Sequence, residues 1–257
     1  MPTRAWRAAT SSAMWSMARA KKHAAYCGTR NIYGDMETAA KSLIANSDVD
    51  VVHFVIEDAE FPSELPPIIQ CHDMSGQTFF DPDGPNMNSG FTYMAMMRAA
   101  LCHVLPRVNR VLSLDADTVC MADVSDIWEL PIDDCYFSAS AEWHKTANGL
   151  LSTNVGVTLF NLRKLRDGKA DECIEVMNRR RYTWVDQDVL NFLCQGRIHD
   201  MPSEFNSCWW TDRNAPNARI VHFAGVPRDG WVNDPRVTRW RDTPWDEVMA
   251  LHRQRGK

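Results

Sequence analysis

Residues 51–56 read VVHFVI, a continuous apolar run with an acid at each end, Asp50 and Glu57. A strand of this kind has no polar face to offer water, so both its faces must be covered. The usual solution is a mainly parallel sheet with helices packed on either side. The rest of the chain keeps the same alternation. HAAYCG (23–28) reads as a first strand. Asp35 stands as N-cap to a helix whose Met36, Ala39, Ala40, Leu43 and Ile44 share one face. IIQCHDM (68–74) reads as a strand, FTYMAMMRAALCHVL (91–105) as a buried helix stopped by Pro106, and VNRVLSLDADTVC (108–120) as a strand running into acids. VGVTLFNL (155–162) and ARIVHFAG (218–225) are two more strands, with helical stretches near 163–180 and 186–195 between them. The Gly/Pro/Asn-rich segment 76–90 is too polar to pack and too long for an idle connection.

At 257 residues the chain suits one α/β domain with a substantial core. A net charge of -5 argues against a nucleic-acid binder. The eight cysteines stand singly, with no C-x-x-C pair, and most lie in apolar runs as small hydrophobes. Together with the lack of any N-x-S/T sequon, this favours a reducing, cytoplasmic setting. No apolar stretch approaches the ~20 residues that span a bilayer. Residues 1–22 are basic, rich in Ala and Ser and free of acids, a composition shared with transit peptides; the simpler expectation is a flexible extension outside the fold. The expected organisation is therefore an extension (1–22), one α/β domain (23–232) and a C-terminal helical segment (233–257). Rich in Arg and Trp, the last stretch is expected to pack on the domain, with peripheral membrane contact as the alternative.

In sheets of this type ligands bind beyond the carboxyl ends of the strands, so chemistry is to be sought just past each apolar run. After LSL come Asp115, Ala116 and Asp117. In extended chain the two carboxylates point the same way, and paired hard oxygens suit Mg²⁺ or Mn²⁺. His222, leaving the strand IVHFAG, is a candidate third ligand that would favour Mn²⁺, and otherwise a hydrogen-bonded core histidine. Gly225 permits close backbone approach and Arg228 can meet a diphosphate. Asn154, Asp186 and Gln187 carry short polar groups able to clamp sugar hydroxyls, although Asp186 also reads as an N-cap. Cys27, Gly28, Thr29, Arg30 and Asn31 open the first strand into a loop of small residues. Dinucleotide, P-loop, zincin and nucleophile-elbow fingerprints are absent from the sequence.

In chain order, four segments carry a resemblance. RVLSLDADTVCMADVSDIWEL, TNVGVTLFNLRKL, VDQDVLN followed by MPSEFN, and VHFAG followed by GW resemble glycosyltransferase family 8, the glycogenin and lipopolysaccharide galactosyltransferase group, over roughly residues 24–232. The resemblance implies a single GT-A domain and a retaining hexosyltransferase using UDP-glucose or UDP-galactose. It further implies that Asp115, Asp117 and His222 coordinate Mn²⁺, or Mg²⁺, under the donor diphosphate. Cys27, Gly28, Thr29, Asn31 and Tyr33 would line the uridine site, and Arg98 would lie near the donor. Asn154, Asp186 and Gln187 would hold the transferring sugar, with Ala116, Gly225 and Arg228 at the diphosphate. The family's closing lysine-proline is replaced here by Arg228-Asp229-Gly230, which keeps a charge but changes its geometry.

Retention implies either a carboxylate under the anomeric carbon, Asp186 or Asp188, or front-face substitution with Gln187 on that face; the latter is preferred. The acceptor, whether carbohydrate, lipid-linked or protein, is not written in segments 57–90 and 140–153. Two rivals stand beside this reading. LSLDADTV also fits the first motif of haloacid-dehalogenase phosphatases, with Asp115 as nucleophile and Asp117 as acid/base, although about 100 residues of α/β sequence precede it here. The other rival is a nucleotide-sugar-binding protein without turnover.

Overall fold

The structure is a computed structural model of the chain, and it describes residues 19–89, 91–142, 151–212, 215 and 217–255. Most of the expected extension, and residues 143–150 of one expected acceptor stretch, lie outside the described residues.

In chain order the strands are β1 (His23–Gly28), β2 (Val51–Ile56), β3 (Ile69–Asp73), β4 (Arg110–Leu114), β5 (Thr118–Cys120), β6 (Phe137–Ala141), β7 (Thr153–Asn161), β8 (Ile198–Asp200) and β9 (Ile220–His222). The helices are α1 (Tyr33–Asn46), α2 (Met97–Val104), α3 (Leu162–Leu165), α4 (Lys169–Arg179), α5 (Val185–Leu193), α6 (Arg228–Trp231), α7 (Pro235–Asp242) and α8 (Trp245–Arg255). Seven strands form one sheet in the order β3-β2-β1-β4-β7-β6-β8. β3, β2, β1 and β4 run parallel, as do β6 and β8, while β7 runs antiparallel to both of its neighbours. The sheet is thus mainly parallel and flanked by helices, as expected.

Its two faces divide the core. Ala24, Tyr26, Phe54 and Leu112 pack with α1 and residues of α7 and α8, whereas Ala25, Val55 and Val111 pack with α2, α4 and α5. Alternate residues of a strand serve opposite faces, so β2 is buried throughout. Trp240 and Val248 place α7 and α8 on the α1 face. There His252 Nδ1 donates to the Ile44 carbonyl at 3.0 Å and Arg255 Nε to that of Ala45 at 2.8 Å. Among the described residues, no helix is long and apolar enough to cross a membrane.

Several local expectations need correction. Asp35 lies inside the first turn of α1 rather than capping it, and its carboxylate binds Arg228. Asp186 likewise sits inside α5; the carboxylate that accepts the Trp184 backbone N–H belongs to Asp188. Segment 108–120 is two strands, because the chain turns at Asp115–Asp117 and β5 leaves the main sheet to pair with β9. Strand 218–225 therefore belongs to a two-stranded ribbon. Polar as it is, segment 76–90 does pack: Phe80 is buried, and Asn86 Nδ2 donates to the carbonyls of Met177 and Arg180 at 2.6 and 2.8 Å. One buried aromatic ring and one buried amide anchor it to the end of α4.

Candidate functional site

β4 ends at Leu114, and the Asp115 N–H donates to the Gly156 carbonyl of β7 at 2.7 Å. Thr118 Oγ1 donates to the Asp115 carbonyl at 2.7 Å and closes the turn. Ribbon pairing sets Thr118 against His222, and the Phe223 N–H donates to the Asp117 carbonyl at 3.0 Å. In this way His222 reaches the acids from far along the chain. Its Nε2 stands 3.2 Å from Asp117 Oδ1 and 3.6 Å from Asp115 Oδ2. The acids converge through a turn and not through extended-strand alternation. Gly156 makes room for them: a Cβ there would meet His222 Cε1 at 2.1 Å and Asp115 Oδ2 at 2.7 Å.

Arg98 of α2 is buried behind this cluster. It pairs with Asp115, donates Nη1 to the Val155 carbonyl at 2.6 Å, and holds Nε 2.9 Å from Asp186 Oδ2. Burial alone would raise the Asp115 carboxyl, but the Arg98 charge and the neighbouring His222 imidazole hold it well below the usual carboxylate range. Burial opposes protonation of His222 too, yet the Asp117 charge and the close approach of both carboxylates lift it well above an ordinary histidine. Asp186 is raised by burial, with the Arg98 charge working against the rise. At the cavity wall, burial pushes the Cys27 thiol up to about 12, so it acts as apolar lining.

The other face of His222 is also occupied, its Nδ1 lying 2.9 Å from Asn206 Oδ1. Asn206 Nδ2 donates to Asn154 Oδ1 at 2.9 Å, and Gln187 Oε1 accepts from the Val155 N–H at 3.2 Å. Neither Asn206 nor Gly156 stood out in the sequence as a site residue. Asn206 closes the MPSEFN segment, which was its only signal, and Gly156 lies within TNVGV.

The two acids, His222, Asn154, Gly156 and Gln187 line a cavity of about 610 Å³, with Asn206 behind its wall. Of the residues singled out from sequence, Cys27, Arg98, Asp115, Ala116, Asp117, Asn154, Asp186, Gln187, His222, Gly225 and Arg228 lie on its wall. Gly28, Thr29, Asn31 and Tyr33 do not. A Cβ on Gly28 would meet Met36 Sδ at 2.4 Å, so that glycine serves the packing of α1 on β1. Thr29 Oγ1 is 2.6 Å from Asn31 Oδ1, and Tyr33 OH donates to Asp58 Oδ2 at 3.0 Å while accepting the Glu57 N–H at 3.1 Å. Arg228 reaches the wall in a bidentate pair with Asp35, with distances of 2.8 and 2.9 Å. Phe91, Trp184 and Trp210 make a linked aromatic side to the cavity, with ring centroids 5.3 and 6.4 Å apart.

The donor set fits a divalent cation. One ligand atom from each of Asp115, Asp117 and His222 lies within 4.8 Å of the others. Two carboxylates and an imidazole whose second nitrogen is already engaged are chemically suited to such an ion.

A sequence model described as glycosyl transferase family 8 matches residues 23–231. Lipopolysaccharide 1,2-glucosyltransferase of Escherichia coli K12 is 24% identical over 173 residues, 54% of this chain and 51% of that protein. The chain thus spans about half the length of this curated relative. The crystal structure of the glycosyltransferase GlyE from Streptococcus pneumoniae TIGR4 superposes with a TM-score of 0.70 at 16% identity, covering 93% of this chain and 64% of GlyE. That of the galactosyltransferase LgtC, in complex with donor and acceptor sugar analogs, superposes at 0.63 with 21% identity, covering 89% of this chain and 99% of LgtC. The family match removes the basis for a haloacid-dehalogenase reading of LSLDADTV, and it runs through every segment that builds the cavity floor. The chain belongs to glycosyl transferase family 8.

Proposed function

We propose that the chain transfers a hexose from UDP-glucose or UDP-galactose to an acceptor hydroxyl, with retention of configuration and dependence on Mn²⁺ or, less favourably, Mg²⁺. The observation that carries this reading is the convergence of Asp115, Asp117 and His222 in a cavity that also presents Asn154, Asp186 and Gln187. Asp115, Asp117 and His222 hold the metal, and the imidazole is the reason for preferring Mn²⁺. When bound, the metal supplies Lewis-acid stabilisation of charge on the departing diphosphate. Ala116 and Gly225 offer backbone to that diphosphate, and Arg228, steadied by Asp35, offers it a charge. Cys27 and Ile32 form the apolar wall on the nucleoside side. Asn154, Asp186 and Gln187 grip the hydroxyls of the transferring sugar.

Asp186 is tied to Arg98 and so is not free to swing beneath an anomeric carbon. This favours front-face substitution over double displacement: the leaving phosphate oxygen takes the acceptor's proton as the acceptor oxygen bonds to the anomeric carbon. Relatives described as a glucosyltransferase and a galactosyltransferase support either sugar. The acceptor class stays open among carbohydrate, lipid-linked and protein hydroxyls. Residues 23–232 are read as the transferase domain and 233–257 as a closing segment, a division supported by the packing of α7 and α8 on α1. The eight free cysteines go with a cytoplasmic setting.

A screen of UDP-sugars with Mn²⁺, read as UDP release, tests the proposal. The expected result is release from UDP-glucose or UDP-galactose that falls on the order of a hundredfold or more in Asp117→Asn. Binding of UDP with Mn²⁺ but no transfer or hydrolysis would instead make the chain a nucleotide-sugar-binding protein. Hydrolysis of simple phosphate esters would revive the phosphatase reading.

A further inference from the structure

We infer that Asn206 is a positioning residue that fixes the tautomer of His222 and joins the cation site to the sugar clamp through a one-way chain of hydrogen bonds. This rests on the transferase reading above. Amide and imidazole orientations are ambiguous in isolation, but here backbone groups with a single possible role decide them. One end of the Asn206 amide lies 3.3 Å from the Asn154 backbone carbonyl, which can only accept, so that end is the nitrogen. The opposite end is therefore an oxygen, and it faces His222 Nδ1 at 2.9 Å. Nδ1 must therefore carry a proton, which makes Nε2 the nitrogen that faces Asp115 and Asp117 and that would take a cation, giving up its own proton to do so.

The same logic runs outward. The Gly156 N–H donates to Asn154 Oδ1 at 3.2 Å, so Asn154 turns its nitrogen to Gln187 Oε1 at 3.4 Å. The Val155 N–H fixes Gln187 Oε1, so Gln187 Nε2 donates to Glu142 Oε1 at 3.1 Å. Every side-chain donor points the same way, from His222 through Asn206, Asn154 and Gln187 to the Glu142 carboxylate. Reversing any one amide would put two donors or two acceptors face to face at both of its neighbours. Asn206 has 0% exposure, so bulk water does not compete for its partners. Its place is fixed by backbone pairing along β9: the Ser207 N–H donates to the Ile220 carbonyl, and the His222 N–H to the Ser207 carbonyl, both at 3.0 Å.

Two variants separate the two ends of this bridge. Asn206→Asp keeps an oxygen for His222 Nδ1–H but removes the donor to Asn154. Asn206→Ala removes both contacts. In full-length protein without donor, Mn²⁺ affinity measured by electron paramagnetic resonance is expected to fall about 10–100-fold in Asn206→Ala. In Asn206→Asp it should stay no weaker than within about threefold of wild type, while UDP-sugar turnover drops about tenfold or more because the clamp has lost its register. A purely structural role would lower the melting temperature and leave Mn²⁺ affinity unchanged in both variants, which overturns the inference. Equal loss of Mn²⁺ by Asp and Ala also overturns it. Wild-type protein that binds no Mn²⁺ sinks the metal reading and this inference together, whereas wild-type binding with the wrong variant pattern sinks the inference alone. If a variant does not fold, imidazole ¹⁵N shifts of wild-type protein loaded with Mg²⁺ decide the matter. The His222 resonance, identified as the one broadened first by added Mn²⁺, should show a protonated Nδ1; a protonated Nε2 would refute the assignment.

Discussion

Arg98 is buried between two carboxylates, Asp186 largely buried and Asp115 partly open to the cavity, and its planar guanidinium serves three partners at once: Asp115, Asp186 and the Val155 carbonyl. Replacing it with Met leaves Asp186 largely buried without its counter-charge, while solvent and His222 still compensate Asp115, a loss of about 3 kcal/mol. Denaturant melts of Arg98→Met should show that loss, and Arg98→Lys should recover only part of it because an ammonium cannot reproduce the fork. Gly156→Ala is a sharper probe of the proposed cation site. The added methyl would stand 2.1 Å from His222 Cε1, so the ring must move. Mn²⁺ affinity by titration is expected to fall about tenfold or more, with a stability loss of about 1–3 kcal/mol from overpacking. Asp115, Asp117 and His222 were legible in the sequence because each follows an apolar run. Gly156 and Asn206 were not, because one acts by having no side chain and the other lies after a turn with no periodic neighbour. Gly28, Thr29, Asn31 and Tyr33 were marked from the sequence but lie off the cavity wall. Loop composition marked the first three and the resemblance marked Tyr33; packing on Met36 engages Gly28, and bonds to Asp58 and Glu57 engage Tyr33.

Adjacent parallel strands carry a histidine ladder that the reading of apolar runs passed over. His53 of β2 meets His23 of β1 through Nε2 at 3.0 Å and His72 of β3 through Nδ1 at 2.9 Å. Burial, with the His72 and His23 charges adding to it, pushes His53 down to about 3. Burial also lowers His23, with Asp50 opposing and Lys21 assisting, and it lowers His72. An unfolded histidine takes its proton near 6.5, so between about pH 6.5 and 3 the unfolded chain binds more protons than the folded one. Stability from this group is complete above pH 6.5 and falls by about 1.4 kcal/mol per pH unit as acid is added. Urea melts from pH 7 to 4 should show this slope, and His53→Gln should flatten it relative to wild type. A slope unchanged by the substitution would discount the ladder. Elements were read well where long apolar periods identify them, as in β2 and α1. They were missed where strands are short or built of small and polar residues, as in FSASA of β6 and IHD of β8. Helix starts were placed late, by about a turn at α1 and by a residue or two at α5, because Asp35 and Asp186 are held by arginines in place of end-capping N–H groups.

Across the whole molecule, α7 and α8 complete the α1 face with Val237, Trp240 and Val248, each nearly inaccessible. Exposing these three side chains would cost roughly 5 kcal/mol or more, comparable with the net stability of a domain. A chain ending at residue 234 is therefore expected to lose its cooperative thermal transition by circular dichroism. The sheet order, with β7 reversed between two parallel sets, could not be read from the alternation of strands and helices, since direction is decided by pairing partners far away in sequence. The β5–β9 ribbon has a temporal consequence. It joins Thr118 to His222 across about 100 residues, a closure that costs entropy and comes late in folding. The proposed cation site is then assembled only after most of the chain has found its place. During refolding, Mn²⁺ binding should appear no earlier than native near-ultraviolet dichroism, so loading with metal would report completion of the fold and would not seed it.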